Sequence, residues 1–329
     1  MPAISVICPI YNVEKYIERC ARSLFEQTLD DIEYIFIDDC SPDKSVEIIE
    51  SVLKDYPHRI PKTQIVRLQK NAGTANARKK GIALATGEYI ANCDSDDWID
   101  LNMYKLMYDE AVANDYDIVR CLFARCFETY NEKCYLIPSE VYAKKEKVQS
   151  FQLMGYDFNS LCDKIIRRKI FTENDFVYPI SHMYEDNVIV TQAIYYSKKI
   201  GYIDNVLYYY YQNPDSICKG VDPTKILKRL DQEQINIDLI IQFLEDKNIA
   251  SQYSREILVL KYSVREELHP IINEHKYWKM WCNTYPEITL FNLLGLKRKV
   301  SYILVCLRLY TPVRNFYRKY IKKLKPNSL

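Results

Sequence analysis

The chain has 329 residues, 48% hydrophobic and 27% charged, with only 7 glycines and 13 prolines, which excludes collagen-like, low-complexity and wholly disordered chains. At roughly 100 to 200 residues per domain, that length makes one catalytic-sized domain with something smaller beside it. The net charge of +1 hides an asymmetry: ten of the 45 basic residues, and none of the 44 acidic ones, lie after Glu287.

In chain order, residues 4–8 form a short apolar run of strand character. Behind Asn12 as cap, Ile17, Cys20, Ala21, Leu24 and Phe25 then fall at helical spacing. The unit repeats: 34–37 reads as a strand, Val46, Ile49 and Leu53 stripe a helix, 65–68 is a strand, 74–84 a helix and 89–93 a fourth strand. Strands alternating with helices predict an α/β fold with a mostly parallel sheet covered on both faces, and ligands in such sheets sit outside the carboxyl ends of the strands. Residues 117–220 are mixed and rich in tyrosine. Residues 224–281 read as helices, and a boundary is expected near Gly220.

Several classes are poor fits. Neither a dinucleotide-binding glycine fingerprint nor a Walker A loop occurs, which argues against Rossmann-type hydride transfer and P-loop ATP chemistry. The 11 cysteines are odd in number, scattered and free of CxxC pairs, a pattern of reduced, buried thiols rather than a disulfide frame or zinc site. The first residues lack the basic and apolar regions of a signal peptide, and no apolar run approaches the ~20 residues of a membrane-spanning helix.

The expected carboxyl ends of the strands carry Pro9-Ile10-Tyr11-Asn12, Asp38-Asp39-Cys40-Ser41-Pro42-Asp43 and Asp94-Ser95-Asp96-Asp97-Trp98. Carboxylates at i and i+2 just past a buried strand suit a divalent cation of the Mg²⁺ or Mn²⁺ type, which takes its remaining ligands from water and phosphate. Taken alone, the run reads equally as an acidic turn capping the helix that begins near Leu101. Glu185-Asp186, taken alone, reads as the capped start of a helix holding Val188, Ile189 and Ala193.

The ordered series SVICPIYNVEKYIERCARSLFEQT, IDDCSPDKS, KNAGTANARKKGIALATGEYI, NCDSDDWID, LCDKIIRRKIF, MYEDNVIV and LYYYYQNPDSI resembles the inverting family 2 glycosyltransferases of the GT-A fold, over roughly residues 3–218. The resemblance implies a GT-A (Rossmann-like) sheet flanked by helices and a nucleotide diphosphate sugar donor, most simply UDP-linked. It implies nucleotide contacts by Pro9, Tyr11, Asp39 and Arg78, with Asp39 accepting from a uracil-type base. Lys79 stands where the family usually has an Asn after that arginine. Asp94 and Asp96 match the DxD pair, Asp96 as the direct ligand of Mn²⁺ or Mg²⁺ and Asp94 nearer the ribose or the metal. Asp186 matches the catalytic base of the ED pair. Its neighbours Glu185 and Tyr184, together with Trp98, are expected near the sugar or acceptor, while Lys164 is either structural or faces the acceptor. Many relatives also place a metal-reaching His after the ED pair; here Tyr211-Gln212-Asn213-Pro214-Asp215-Ser216 has none. His182, His58, His269 and His275 read as surface or packing residues.

The chain therefore divides in expectation into a glycosyltransferase domain at 1–220, a helical region at 221–287 and a basic amphipathic tail at 288–329. In the tail, Val313, Phe316, Tyr317, Tyr320, Ile321 and Leu324 form an apolar stripe beside Arg314, Arg318, Lys319, Lys322 and Lys323. With the apolar run 300–310, this reads as helices lying on an anionic membrane surface, placing the chain peripherally on the cytoplasmic face near a glycan or lipid-linked acceptor for surface polysaccharide. Helices docked on their own domain are the other reading. Nucleic acid is not an expected partner, because the acidic body repels phosphate. The competing functional readings are a sugar-nucleotide-forming nucleotidyltransferase, for which no Gly-rich basic loop follows strand one, and a catalytically inactive membrane-bound scaffold of the same fold.

Overall fold

The computed structural model describes residues 1–128, 131–133, 139–142, 144–155, 159–179, 184–213, 220, 222–293 and 295–316. The chain falls into two compact units, Met1–Ser216 and Ile217–Leu329.

The first unit opens with β1 (Ile4–Ile10), α1 (Ile17–Phe25), β2 (Ile32–Asp38), α2 (Ser45–Leu53), β3 (Thr63–Arg67), α3 (Thr74–Leu84) and β4 (Tyr89–Asn92), the alternation the sequence predicts. Then come β5 (Trp98–Ile99), α4 (Met103–Asn114), β6 (Ile118–Cys126), β7 (Asn131–Lys133), α5 (Ser139–Tyr142), α6 (Lys145–Leu153), β8 (Lys164–Arg167), α7 (Lys169–Thr172), α8 (Glu185–Tyr196) and β9 (Ile200–Tyr211). They form one sheet in the order β3-β2-β1-β4-β8-β6-β9-β5, with β7 on β6. The half from β3 to β4 is parallel. Beyond it the sheet is mixed, because β8 runs antiparallel to both β4 and β6 while β6 and β9 run parallel.

Strand side chains alternate between two faces, and both are covered. From β1, Ile4, Val6, Cys8 and Ile10 pack with α1, α2 and α4 residues such as Leu24, Ile49 and Met107. Ile7 points the other way, toward Ala77 and Ile82 of α3 and Ile189 of α8. Gly81 lets α3 lie directly on the sheet, since a Cβ there would collide with the Ile7 side chain.

Pro9 sits inside a strand flanked on both sides, a position proline rarely takes. Backbone groups alternate in direction, and the one Pro9 lacks falls on the β4 side. There the pairing stops at Ile7, which accepts from the Cys93 amide.

Asn12 does not cap α1. It adopts φ 55°, its amide donates to Ser41 Oγ at 2.9 Å, and the helix begins five residues later after a turn closed on the Val13 carbonyl.

The second unit holds α9 (Pro223–Asp246), α10 (Ser254–Glu266), α11 (His275–Asn283), α12 (Leu296–Cys306) and α13 (Tyr310–Phe316). Asp222 caps α9 by accepting the Thr224 and Lys225 amides, with Pro223 in the first turn. Arg265 is buried beneath Trp281 and donates to the Thr284 and Tyr285 carbonyls at 2.6 and 2.7 Å. Residues past 288 join this unit: Ile288, Leu293 and Val305 are buried, and Tyr302 packs on Trp281 with ring centroids 5.1 Å apart. Tyr317, Tyr320, Ile321 and Leu324 of the expected stripe lie outside the described residues, as do Arg318, Lys319, Lys322, Lys323 and His182. Among the described residues no helix is long and apolar enough to cross a membrane.

Candidate active site

Three acidic segments meet at the carboxyl edge of the parallel strands. Asp39 follows β2, and its two carboxylate oxygens accept the backbone amides of Ala72 and Gly73 at 2.6 and 2.7 Å. Gly73, at φ 83°, is the residue from which α3 springs, so Asp39 fixes where that helix starts. A carboxylate has about four acceptor positions, so Asp39 keeps capacity for a further donor. Beside it, Pro9 is partly exposed and Tyr11 is exposed on the loop after β1.

One turn into α3, Arg78 is nearly sealed from solvent, with 3% of its side chain exposed. Its guanidinium donates to Asp94 at 2.7 Å, to Asp186 at 2.5 Å, and to Glu185. Burial alone would lower its pKa; the carboxylates, Asp186 foremost, outweigh this and push it up.

The antiparallel β8 lays its leading end beside the end of β4, and from there the Leu161 amide donates to the second oxygen of Asp186 at 3.1 Å. Glu185 and Asp186 open α8, where the helix terminus favours negative charge. The chain enters α8 through Tyr184 in the left-handed region at φ 61°. The pKa of Asp186 is raised by burial, which outweighs the opposing effect of Arg78 and is reinforced by Asp94. Glu185 is raised for the same reasons, with Asp186 as the repelling neighbour. One guanidinium among three carboxylates does not neutralise the site.

The second half of the DxD run is held by the end of β9. Asp97 is fully buried and accepts from the Tyr208 hydroxyl at 2.5 Å and the Tyr211 amide at 2.7 Å. Asp96 is partly exposed, accepts from the Asn213 side-chain amide at 3.1 Å, and has a pKa raised by burial and by Asp94. Among the described residues no three His, Cys, Asp or Glu side chains form a metal cage. The donor set at Asp94 and Asp96, hard carboxylate oxygens two residues apart and both partly exposed, nevertheless fits a divalent cation that draws its other ligands from phosphate and water.

Two of the residues singled out in the sequence have partners within the protein. Lys164 is buried, its ammonium donating to Asp163 and to the Ser160 carbonyl, both at 2.6 Å. Asp163 also accepts from Arg120 at 2.7 Å, with all three side chains at most 1% exposed. Lys164 thus faces the interior, and burial lowers its pKa. Trp98 is half-buried, stacks on its cross-strand partner Tyr209 at 5.5 Å, and carries the Arg19 guanidinium 3.7 Å from its ring centroid. Its ring is therefore already engaged within the protein. Sequence reading missed Arg19, which donates to the Asp96 carbonyl at 3.0 Å, and Asn213, which stands in the stretch noted only for lacking a His. Nothing local to Arg19 signals its role. For Asn213 the signal was its place after the β9 tyrosines.

The family described as Glycosyl transferase family 2 matches residues 5–174. The uncharacterized glycosyltransferase EpsJ of Bacillus subtilis is 32% identical over 230 residues, 67% of this chain and 64% of EpsJ. The chain thus spans a little under two thirds of that relative's length. Among solved structures, S. aureus TarS 1-349 in complex with UDP superposes with a TM-score of 0.61 at 19% identity, covering 97% of this chain and 92% of that one. The mannosyltransferase PcManGT from Pyrobaculum calidifontis, in complex with GDP-Man and Mn²⁺, gives 0.58 at 13% identity, covering 97% and 88%. These two likenesses establish a shared fold.

Proposed function

This chain belongs to glycosyltransferase family 2, and from that premise we propose that it moves a sugar, with inversion, from a nucleotide diphosphate donor to a hydroxyl of a glycan or lipid-linked acceptor. The observation that carries the reading is the convergence of Asp94, Glu185 and Asp186 on the buried Arg78. It joins a DxD edge suited to a diphosphate with a base whose pKa is raised. The donor proposed is UDP-linked, with Asp39, Pro9 and Tyr11 around the base; the UDP in the TarS structure is consistent with this. A role in surface polysaccharide synthesis and a peripheral position on the cytoplasmic face of the membrane complete the proposal.

Asp186 takes the proton of the acceptor hydroxyl as that oxygen bonds to the anomeric carbon. The bond from that carbon to the diphosphate breaks on the opposite face, its electron pair leaving with the nucleotide, so the configuration inverts. An ordinary aspartate, with pKa near ~4, is a weak base; burial beside like charges makes Asp186 a stronger one. Arg78 holds Asp186 and Asp94 in register, and the Leu161 amide orients the other Asp186 oxygen. Asp96, with Asp94, would hold Mn²⁺ or Mg²⁺, which when bound offsets the negative charge of the departing diphosphate. Asn213 and Arg19 fix the Asp96 side chain and backbone.

The test is Asp186→Asn. Transfer from a UDP-sugar should be lost while UDP binding persists. Loss of both together counts against the base role, and consumption of UTP and sugar phosphate with release of pyrophosphate would replace the whole reading.

A further inference from the structure

Helix α12 carries apolar residues on its outward face as well as its inward one. Val305 faces the interior and is fully buried, whereas Leu296, Val300, Ile303 and Leu307, at its C-terminal end, are 80, 45, 40 and 60% exposed. At 3.6 residues per turn those four lie within an arc of about 60°, and Val305 lies opposite. Single exposed apolar residues are ordinary, but a continuous outward stripe marks a contact surface. The patch continues beyond the helix, with Phe291 at 92%, Leu309 at 46% and Val313 at 43%.

Its charge setting selects the occupant. Lys297 and Lys299 flank the stripe, and no acidic residue follows Glu287 in the sequence while ten basic ones do. A second copy of the chain would bring like charges together around the stripe. An anionic bilayer satisfies both features: acyl chains accept the apolar residues and headgroup phosphates accept the lysines. At 11 residues, α12 is about half the length needed to span a bilayer and so lies along its surface.

We propose that the outward face of α12 docks on an anionic lipid bilayer, with Leu296, Val300, Ile303 and Leu307 seated at the headgroup boundary. This sharpens the peripheral placement proposed above into a named surface.

The test is cosedimentation of the full chain with vesicles of phosphatidylcholine alone or with added phosphatidylglycerol, at low and high salt. The chain should pellet with the anionic vesicles, less so at high salt, and scarcely with the neutral ones. The double variant Ile303→Glu/Leu307→Glu should bind at least roughly tenfold more weakly, on the scale set by apolar insertion and surface charge. Both positions are exposed, so the fold should survive; stabilisation of the same variant by UDP shows that it has, and separates a failure of docking from a failure of the transferase reading. Three results would overturn the inference: no binding to anionic vesicles, binding by the variant equal to that of the parent, or self-association that the variant abolishes in a chain that ignores vesicles. Attachment lost only on changing Lys322 and Lys323 would likewise move the contact off α12.

Discussion

Two charge networks stand in the same unit and differ in exposure. Around Asp163, Arg120 and Lys164 share one carboxylate, and all three side chains are sealed from solvent. Around Arg78 there is one cation for three carboxylates, and solvent reaches 37% of Asp94 and 23% of Asp186. The described members of the first network are turned away from solvent. The second is open; burial, reinforced by neighbouring carboxylates, lifts the pKa values of Glu185 and Asp186, and the site leaves a place for something positive or proton-bearing. A buried ion pair by itself therefore says little about function; the excess charge and the opening do.

The sharpest way to break this contrast is to remove one carboxylate from each network. Asp186→Asn should lower kcat by about 10³-fold, within the range for loss of a general base, as read by nucleotide release in a transfer assay. It should not lower the melting temperature. The signs follow from linkage: a carboxylate whose folded pKa is raised favours the fold at low pH, and that contribution is lost as pH rises through the raised value. At neutral pH a neutral amide therefore gives up no stability. Asp163→Ala should do the reverse and cost about 3–5 kcal/mol in denaturant unfolding, because it removes a buried carboxylate that Arg120 and Lys164 both pair with.

Smaller effects refine the open network. Asn213→Ala should weaken Mn²⁺-dependent UDP binding about tenfold, the lower end for a residue that orients a metal ligand, the role proposed for Asp96, as read by calorimetry with and without the ion. In the pH dependence of kcat/KM, the acid limb should lie above the ordinary aspartate value of ~4, because the base must be ionised to act and its pKa is raised by burial and Asp94.

The sequence was legible where structure is local. Alternating apolar periods place β1 to β4 and set α3 at Thr74–Leu84, because neighbouring residues decide them. The same reading misses the mixed half of the sheet, since the antiparallel insertion of β8 depends on pairing with β4 and β6 far away in the chain. The site divides in the same way. Family resemblance picked out Asp94, Asp96 and Asp186 from their motifs. That Arg78 joins Asp94 to Asp186, 108 residues further along the sequence, is a property of the fold alone. Lys164 and Trp98 sit in suggestive motifs, yet Asp163, Arg19 and Tyr209 already engage them. Asn12 has the chemistry of a helix cap, but the turn at Val13 postpones the helix.

The most direct measurement is thermal unfolding with UDP, with and without Mn²⁺, on the parent chain and on Asp96→Asn. A ligand at about 100 times its dissociation constant adds roughly 2.7 kcal/mol to stability, a shift easily seen. The account predicts stabilisation by UDP that is greater with Mn²⁺, and loss of the metal-dependent part in Asp96→Asn. A chain that melts unchanged with UDP, GDP or CDP, with or without the ion, would contradict it.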